Sequence, residues 1–290
     1  MDEAFRLCWR RYRTWAATAR GLKKSDDSWK RAVLMLTIVG TVAGTLGPFS
    51  RVTPGSAAAA GYVGAAALAL ATYFGKQLLD AAHQQNWTRA RAAAEAFKSE
   101  SYRYAVQAPP FDAGDRMSRL ATRIGELDKL TQGRAQAPIT DADATKDMPG
   151  APLSIEDYVV KRVNDQTSWY RKRAKENQDA IARGRSIALA FGGFAALLSI
   201  FSATRTDGTL AAASLGIVTT LAAAIGAYFQ AGHYDAIALK YRETAEALDR
   251  KVLEFRAVPS PQNQQQFVVD AETLMQSENA AWLNEVTAKT

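Results

Sequence analysis

Four long stretches of this 290-residue chain contain no Asp, Glu, Lys or Arg: residues 32–50, 52–75, 186–204 and 208–234. They run for 19, 24, 19 and 27 residues, and an α-helix needs about 20 mostly apolar residues to cross the roughly 30 Å hydrocarbon core of a bilayer. The mean hydropathy of −0.20 and the charged fraction of 22% look like those of a soluble protein. That average arises because the charges are gathered outside the four runs. A soluble protein with Ala-rich buried helices is the plainer alternative, since the runs hold much Ala and Gly. Four runs paired across connectors as short as 51–56 and 205–208 are hard to bury in one soluble core of this size. The expected fold class is therefore an all-α membrane protein, with four transmembrane helices as two hairpins and long cytoplasmic helical extensions.

The basic residues orient these spans. Lys plus Arg outnumber Asp plus Glu by 9 to 4 over residues 1–31 and by 19 to 15 over 76–185, while 235–290 holds 6 against 9. The connectors contribute only Arg51 and Arg205 as bases. The charges nearest the spans decide orientation, and Lys23, Lys24, Lys30, Arg31, Lys76, Arg183 and Arg185 share one side. That side is expected to be cytoplasmic, with both termini on it, in a multi-pass protein of the inner (cytoplasmic) membrane. Trp29, Tyr73, Phe74, Tyr228 and Phe229 stand where a span meets the headgroups, as interfacial aromatics do. The single cysteine, Cys8, excludes an intramolecular disulfide and fits a reducing compartment. The first run begins only after about 30 residues rich in Trp and Arg, unlike a cleaved signal peptide, and is read as a retained span.

The two halves repeat each other. Arg91 to Phe97 (RAAAEAF) matches Arg242 to Leu248 (RETAEAL) at an offset of 151, which also lays Tyr104 on Phe255 and Pro110 on Pro261. A shared register over a hairpin and its following helix points to duplication. The domains are accordingly 1–132, with spans at about 32–50 and 56–75, and 153–290, with spans at about 186–204 and 208–229. Between them, 133–152 is poor in large apolar residues and rich in Pro, Ala and Asp, the composition of a flexible linker. Ser154 to Asp157 has capping-box character and starts a helix that runs into the third span. Further helices are expected at about 77–107, 112–132, 235–257 and 263–287, separated by Pro109-Pro110 and by Pro259 and Pro261.

The segment Trp169-Tyr-Arg-Lys-Arg173-Ala-Lys-Glu-Asn177, a hairpin of two spans, a long helix with Tyr241-Arg242, and a closing Glu272, Glu278 and Trp282 resemble the SLATT family. These are bacterial two-transmembrane proteins that associate with nucleotide-synthesising SMODS and ligand-sensing SLOG domains. The resemblance covers 154–290 and extends to 1–132 through the repeat, where Trp9-Arg-Arg-Tyr-Arg13 is a degenerate counterpart of the basic aromatic segment. It implies a defence or conflict system in which a nucleotide signal triggers a membrane effector proposed to form pores. The duplicated hairpin departs from the simpler two-span form.

The remaining residues exclude more chemistry than they suggest. With two histidines and one cysteine, no nucleophile elbow, no Walker-type glycine loop and no HExxH, nothing points to an enzyme, a metal or a cofactor. His83 and His233 lie just past the inner ends of the outgoing spans, as interfacial residues or as pH-sensitive groups. Thr37, Thr41, Gly44 and Thr45 share a helix face beside Gly40, and Ala188, Gly192, Ala196, Ser199 and Ala203 share another. Such stripes ordinarily permit close helix packing. The sharper reading is a pore lined by Thr37, Thr41, Thr45, Ser199, Ser214, Thr219 and Thr220, with Arg51 and Arg205 at its outer mouth. No acid or base lies inside any span, which argues against a proton relay. Arg10, Arg11 and Arg13 are read as a contact to anionic lipid, with nucleic acid disfavoured, and Trp169, Tyr170, Arg171 and Arg173 as a contact to lipid, a nucleotide signal or an acidic partner. The function expected is an oligomeric pore or ion channel gated by a nucleotide or a cytoplasmic sensor protein. The alternative is a non-conducting membrane scaffold that recruits a cytoplasmic partner.

Overall fold

A computed structural model describes residues 2–45, 54–78, 81–203, 208–231 and 234–287. All the secondary structure among them is helical. The helices are α1 (Glu3–Thr45), α2 (Pro54–Leu78), α3 (Ala81–Val106), α4 (Arg116–Leu130), α5 (Asp141–Thr145), α6 (Ile155–Tyr158), α7 (Asp165–Ala203), α8 (Gly208–Ala231), α9 (Tyr234–Ala257) and α10 (Pro261–Thr287), with a π-helical segment Val159–Asn164 joining α6 to α7.

Local chemistry explains the breaks. Helix α10 starts with Pro at its first position, where the missing N–H has no intrahelical partner to lose, and the Ser260 hydroxyl accepts a hydrogen bond from the Asn263 amide. The Ser154 hydroxyl likewise accepts from the Asp157 amide, so the predicted cap forms. Helix α3 ends in a Schellman motif: Gln107 takes φ +60°, its amide donates to the Tyr104 carbonyl, and the Ala108 amide donates to the Arg103 carbonyl.

The chain divides into two compact units, and each draws on both halves of the sequence. One comprises Met1–Ser25, Ala81–Ala174 and Leu239–Thr290, and the other Asp26–Asp80 and Lys175–Ala238. In the first unit α10 lies along α3, around buried Phe97, Ala105, Leu248, Val268, Ala271 and Met275. A file of aromatic rings crosses its core, with centroids 6.0 Å apart from Trp9 to Tyr102, 6.1 Å from Tyr102 to Tyr158, 6.1 Å from Tyr158 to Phe267 and 4.8 Å from Phe267 to Phe255. These contacts run from α1 through α3, α6 and α10 to α9, so α3 of the first half is built into the core of the second.

In the second unit, glycines let helices approach closely. A Cβ on Gly64 of α2 would stand 2.5 Å from the Gly44 nitrogen and 2.9 Å from the Gly40 carbonyl oxygen of α1. Gly40 and Gly44 form a GxxxG pair, the usual device for close packing of helices in lipid. Lower on the same pair of helices the Trp29 and Phe74 rings meet at 5.3 Å. Helices α7 and α8 repeat the arrangement: a Cβ on Gly184 would stand 2.8 Å from the Phe229 ring. Residues 29 and 74 are 45 apart, as are 184 and 229, so each hairpin sets a Phe of its second helix against its first helix at the same spacing along the chain.

Among the described residues, two helices are long and apolar enough to cross a membrane, Ala58–Gln77 and the continuous helix Ile155–Leu197, while Leu215–Gly226 is a shorter apolar stretch. The structure thus supports two of the four expected spans; the first run is described only as far as Thr45. In a soluble protein such helices would be buried, yet Tyr62, Val63, Leu189, Phe194, Leu197 and Ile200 are all exposed, as suits a lipid-facing surface. Segment 133–152 joins the two halves. It carries α5, and the amide of Ala137 donates to the Thr18 hydroxyl at 2.9 Å. Its polar backbone finds partners on α1 that composition alone does not reveal.

Candidate functional site

The first unit buries a charged cluster. Tyr158 and Arg162, one helical turn apart on α6 and the π-helical segment, both face Glu272 of α10. The Tyr158 hydroxyl donates to Glu272 Oε1 at 3.0 Å, and Arg162 grips the same carboxylate with Nε to Oε1 at 2.9 Å and Nη2 to Oε2 at 2.8 Å. Glu95 of α3 accepts from both terminal nitrogens of Arg162 at 3.4 Å. The Arg162 side chain is 0% exposed and that of Glu272 1%. The Tyr102 ring completes the enclosure, 5.3 Å from the guanidinium. Two carboxylates from different halves of the sequence therefore share one arginine, in a setting where each is strongly coupled to it.

The titration behaviour follows from this packing. Burial alone would lower the Arg162 guanidinium, but the charge and hydrogen bonds of Glu272, with Glu95 and Tyr158, together outweigh it and hold the group well above its ordinary range. Burial pushes Glu95 up, yet the Arg162 charge, with Lys98 and Arg91, leaves its carboxyl below the usual value. Burial, and then the Glu272 charge, raise the Tyr158 hydroxyl well above its usual value; burial lifts Tyr102 to about 12. The cluster offers a rigid electrostatic tie among three helices and no free acid, base or nucleophile. Cys8 is no nucleophile either, since burial raises its thiol to about 12.

The basic aromatic segment of α7 lies beside it. Arg91 of α3 stands 5.0 Å from the Trp169 ring and donates to the Tyr241 hydroxyl at 3.0 Å. Arg173 stands 5.5 Å from Trp169, and Arg171 pairs with Asp249. Tyr170 is fully buried against Tyr241. Of the predicted contact residues, Tyr170 thus belongs to the core and Trp169 is half-buried, while Arg171 and Arg173 are exposed. At the start of α1 the predicted lipid contacts face the chain itself: Arg10 pairs with Asp141 and Arg11 with Asp128, each at 3.1 Å, and Arg13 donates to the Asp143 carbonyl at 3.0 Å.

The hydroxyls predicted to line a pore fall in several settings. Thr41 is buried, between Gly40 and Gly44. Thr37 donates to the Val33 carbonyl at 2.9 Å and Thr219 to the Leu215 carbonyl at 3.0 Å, so both serve their own helices. Ser199 and Thr220 are exposed. Arg51, Arg205 and His233 lie outside the described residues, as do the side chains of Thr45, His83 and Ser214. Among the described residues no group of acidic, histidine or cysteine side chains is placed to hold a metal. The Arg162 cluster went unread in the sequence; its signal was a lone arginine in VVKRV, in register with apolar positions where a helix turns toward a core.

Two family models match the chain in tandem. SMODS and SLOG-associating 2TM effector domain 3 covers residues 15–150, and SMODS and SLOG-associating 2TM effector domain 1 covers residues 158–282. No curated protein and no solved structure matches the chain. The two matches meet between α5 and the π-helical segment, where the internal repeat divides, and each contains one hairpin with its following long helix. Carrying two such two-transmembrane effector domains in succession, with exposed apolar helices to match, the chain is a membrane protein that belongs to the SLATT family.

Proposed function

We propose that this protein is an oligomeric membrane pore or ion channel, opened by a cytoplasmic signal and serving as an effector in bacterial defence. The observation that carries the reading is the tandem of two 2TM effector domains, which accounts for four uncharged runs as four spans. The protein is then a multi-pass protein of the inner membrane with both termini cytoplasmic, as the excess of bases beside the spans favours. The working form is a homo-oligomer, because four helices enclose no evident channel and neighbouring copies supply the rest of the wall. The signal is a nucleotide or a cytoplasmic sensor protein rather than nucleic acid, and the protein catalyses no reaction. Exposed Ser199, Thr219 and Thr220 line the conducting path, with Arg51 and Arg205 favouring anions at its outer mouth.

A second reading has a specific observation in its favour. Thr41 is buried, and Thr37 and Thr219 bond their own helix carbonyls, as expected of helices that pack without conducting. In that case the protein is a non-conducting scaffold whose cytoplasmic helices recruit a partner. Ion flux through liposomes holding the purified protein, with its oligomer size in detergent, separates the two. Flux that Ser199→Leu and Thr220→Leu abolish is the expected result. A well-behaved oligomer that never conducts, with or without candidate nucleotides, overturns the pore in favour of the scaffold.

A further inference from the structure

The arginine-rich start of α1 is covered by the chain's own acidic strap. Arg10 Nη2 lies 3.1 Å from Asp141 Oδ1, Arg11 Nε lies 3.1 Å from Asp128 Oδ1, and Arg13 Nε donates to the Asp143 carbonyl at 3.0 Å. The Trp9 indole donates to the Lys146 carbonyl at 3.0 Å, and the Thr18 hydroxyl accepts from the Ala137 amide. Three guanidiniums within four residues are each met by an oxygen from α4 or the segment that follows it.

The cover is lightly seated. Across 131–149 only Ala144 and Pro149 are buried, its single helix has 5 residues, and it enters through Gly133 at φ +75°. The Arg10–Asp141 pair is 54% and 92% exposed, and water screens such surface pairs so that they contribute little. A segment held by few apolar contacts and exposed bonds belongs to the part of a fold that opens most easily. Phosphate oxygens make charge-assisted, bidentate bonds to guanidinium that are stronger than these.

We propose that residues 131–149 are a displaceable acidic cover over a phosphate-binding cluster formed by Arg10, Arg11 and Arg13, and that a phosphate-bearing anion competes with the strap for the same guanidiniums. The carboxylate of Asp141 and the carbonyl of Asp143 hold the places that phosphate oxygens take when the strap lifts, while Asp128 stays on α4 as the competitor for Arg11. This competition is independent of whether the spans conduct. It has a sign that a merely structural strap lacks, because neutralising the acids tightens anion binding while it loosens the strap.

The test uses the full chain in nanodiscs of phosphatidylcholine, titrated with tripolyphosphate, and in discs that also contain phosphatidylglycerol. Hydrogen exchange of the Ala137 and Ala144 amides reports the strap, and tryptic cleavage after Lys146 reports it independently. The expected result is a saturable, severalfold rise in exchange, with the midpoint lowered by Asp128→Asn with Asp141→Asn and raised by Arg10→Gln with Arg13→Gln. A response to tripolyphosphate in neutral discs assigns the site to a soluble anion, and a response in phosphatidylglycerol discs alone assigns it to a lipid headgroup. Exchange in the unaltered protein that answers to neither overturns the proposal. So does an Asn variant whose strap exchanges faster while its tripolyphosphate midpoint stays put.

Discussion

Arg162 shows how much one residue can be asked to hold. Its guanidinium is fully buried, bonded twice to Glu272 and twice to Glu95, so removing it leaves two carboxylates without their shared counter-charge. Truncating one partner of a buried pair costs about 3–5 kcal/mol, and Arg162→Ala is expected to destabilise the first unit by that amount in denaturant unfolding followed by far-UV circular dichroism. A loss under about 1 kcal/mol, the range of an exposed pair, would show that the cluster is not the tie described here. Half of this site could be seen in the sequence. Glu95 marks the repeat and Glu272 the closing motif, but only the fold brings them to one arginine, because their partner sits 67 residues from the first and 110 from the second.

Among the elements, the contact between α1 and α2 depends on hydrogen atoms in place of side chains. A methyl on Gly64 would meet the Gly44 backbone at 2.5 Å, and backbone cannot swing away as a side chain can, whereas a methyl on Gly61 meets nothing within 4 Å. Gly64→Ala should therefore destabilise the hairpin, by about 1–3 kcal/mol as overpacking does. Gly61→Ala should leave it unchanged or stabilise it by about 0.5–1 kcal/mol through helix propensity. Thermal unfolding of the detergent-solubilised protein compares the two, and equal effects would refute the close approach. The capping of α6 was legible because the Ser154 hydroxyl and the Asp157 amide are neighbours in sequence. The π-helical turn was not, since its widening serves side chains that meet a distant helix.

At the scale of the molecule, the same buried cluster sets both edges of the pH range. Glu95 titrates lower in the folded protein than its ordinary value, so its contribution is complete above about pH 4.3 and is lost as the pH falls through the folded value. Tyr158 titrates higher, so its contribution is complete below about pH 10 and is lost as the pH rises toward the folded value. Melting temperature against pH is expected to form a plateau that falls at both ends, and Tyr158→Phe should remove its share of the alkaline fall, leaving the shares of Tyr102 and Cys8. An alkaline edge unmoved in that variant would assign the fall to another group.

The four uncharged runs, the repeat and the resemblance carried by Trp169 to Asn177 determined the helical class and the family, because hydropathy and periodicity are properties of neighbouring residues. The tertiary structure alone decided how the halves combine. It placed α3 of the first half against α10 of the second, turned Arg10 and Arg13 toward an acidic strap and Arg11 toward Asp128 of α4, and buried Thr41 within its hairpin unit. Each of those outcomes is set by contacts between residues far apart in the chain, where burial and the geometry of a second helix decide whether a charge or a hydroxyl meets water, lipid or protein. Local pattern cannot carry that information, since the same arginine reads alike whether its carboxylate is a ligand's or its own.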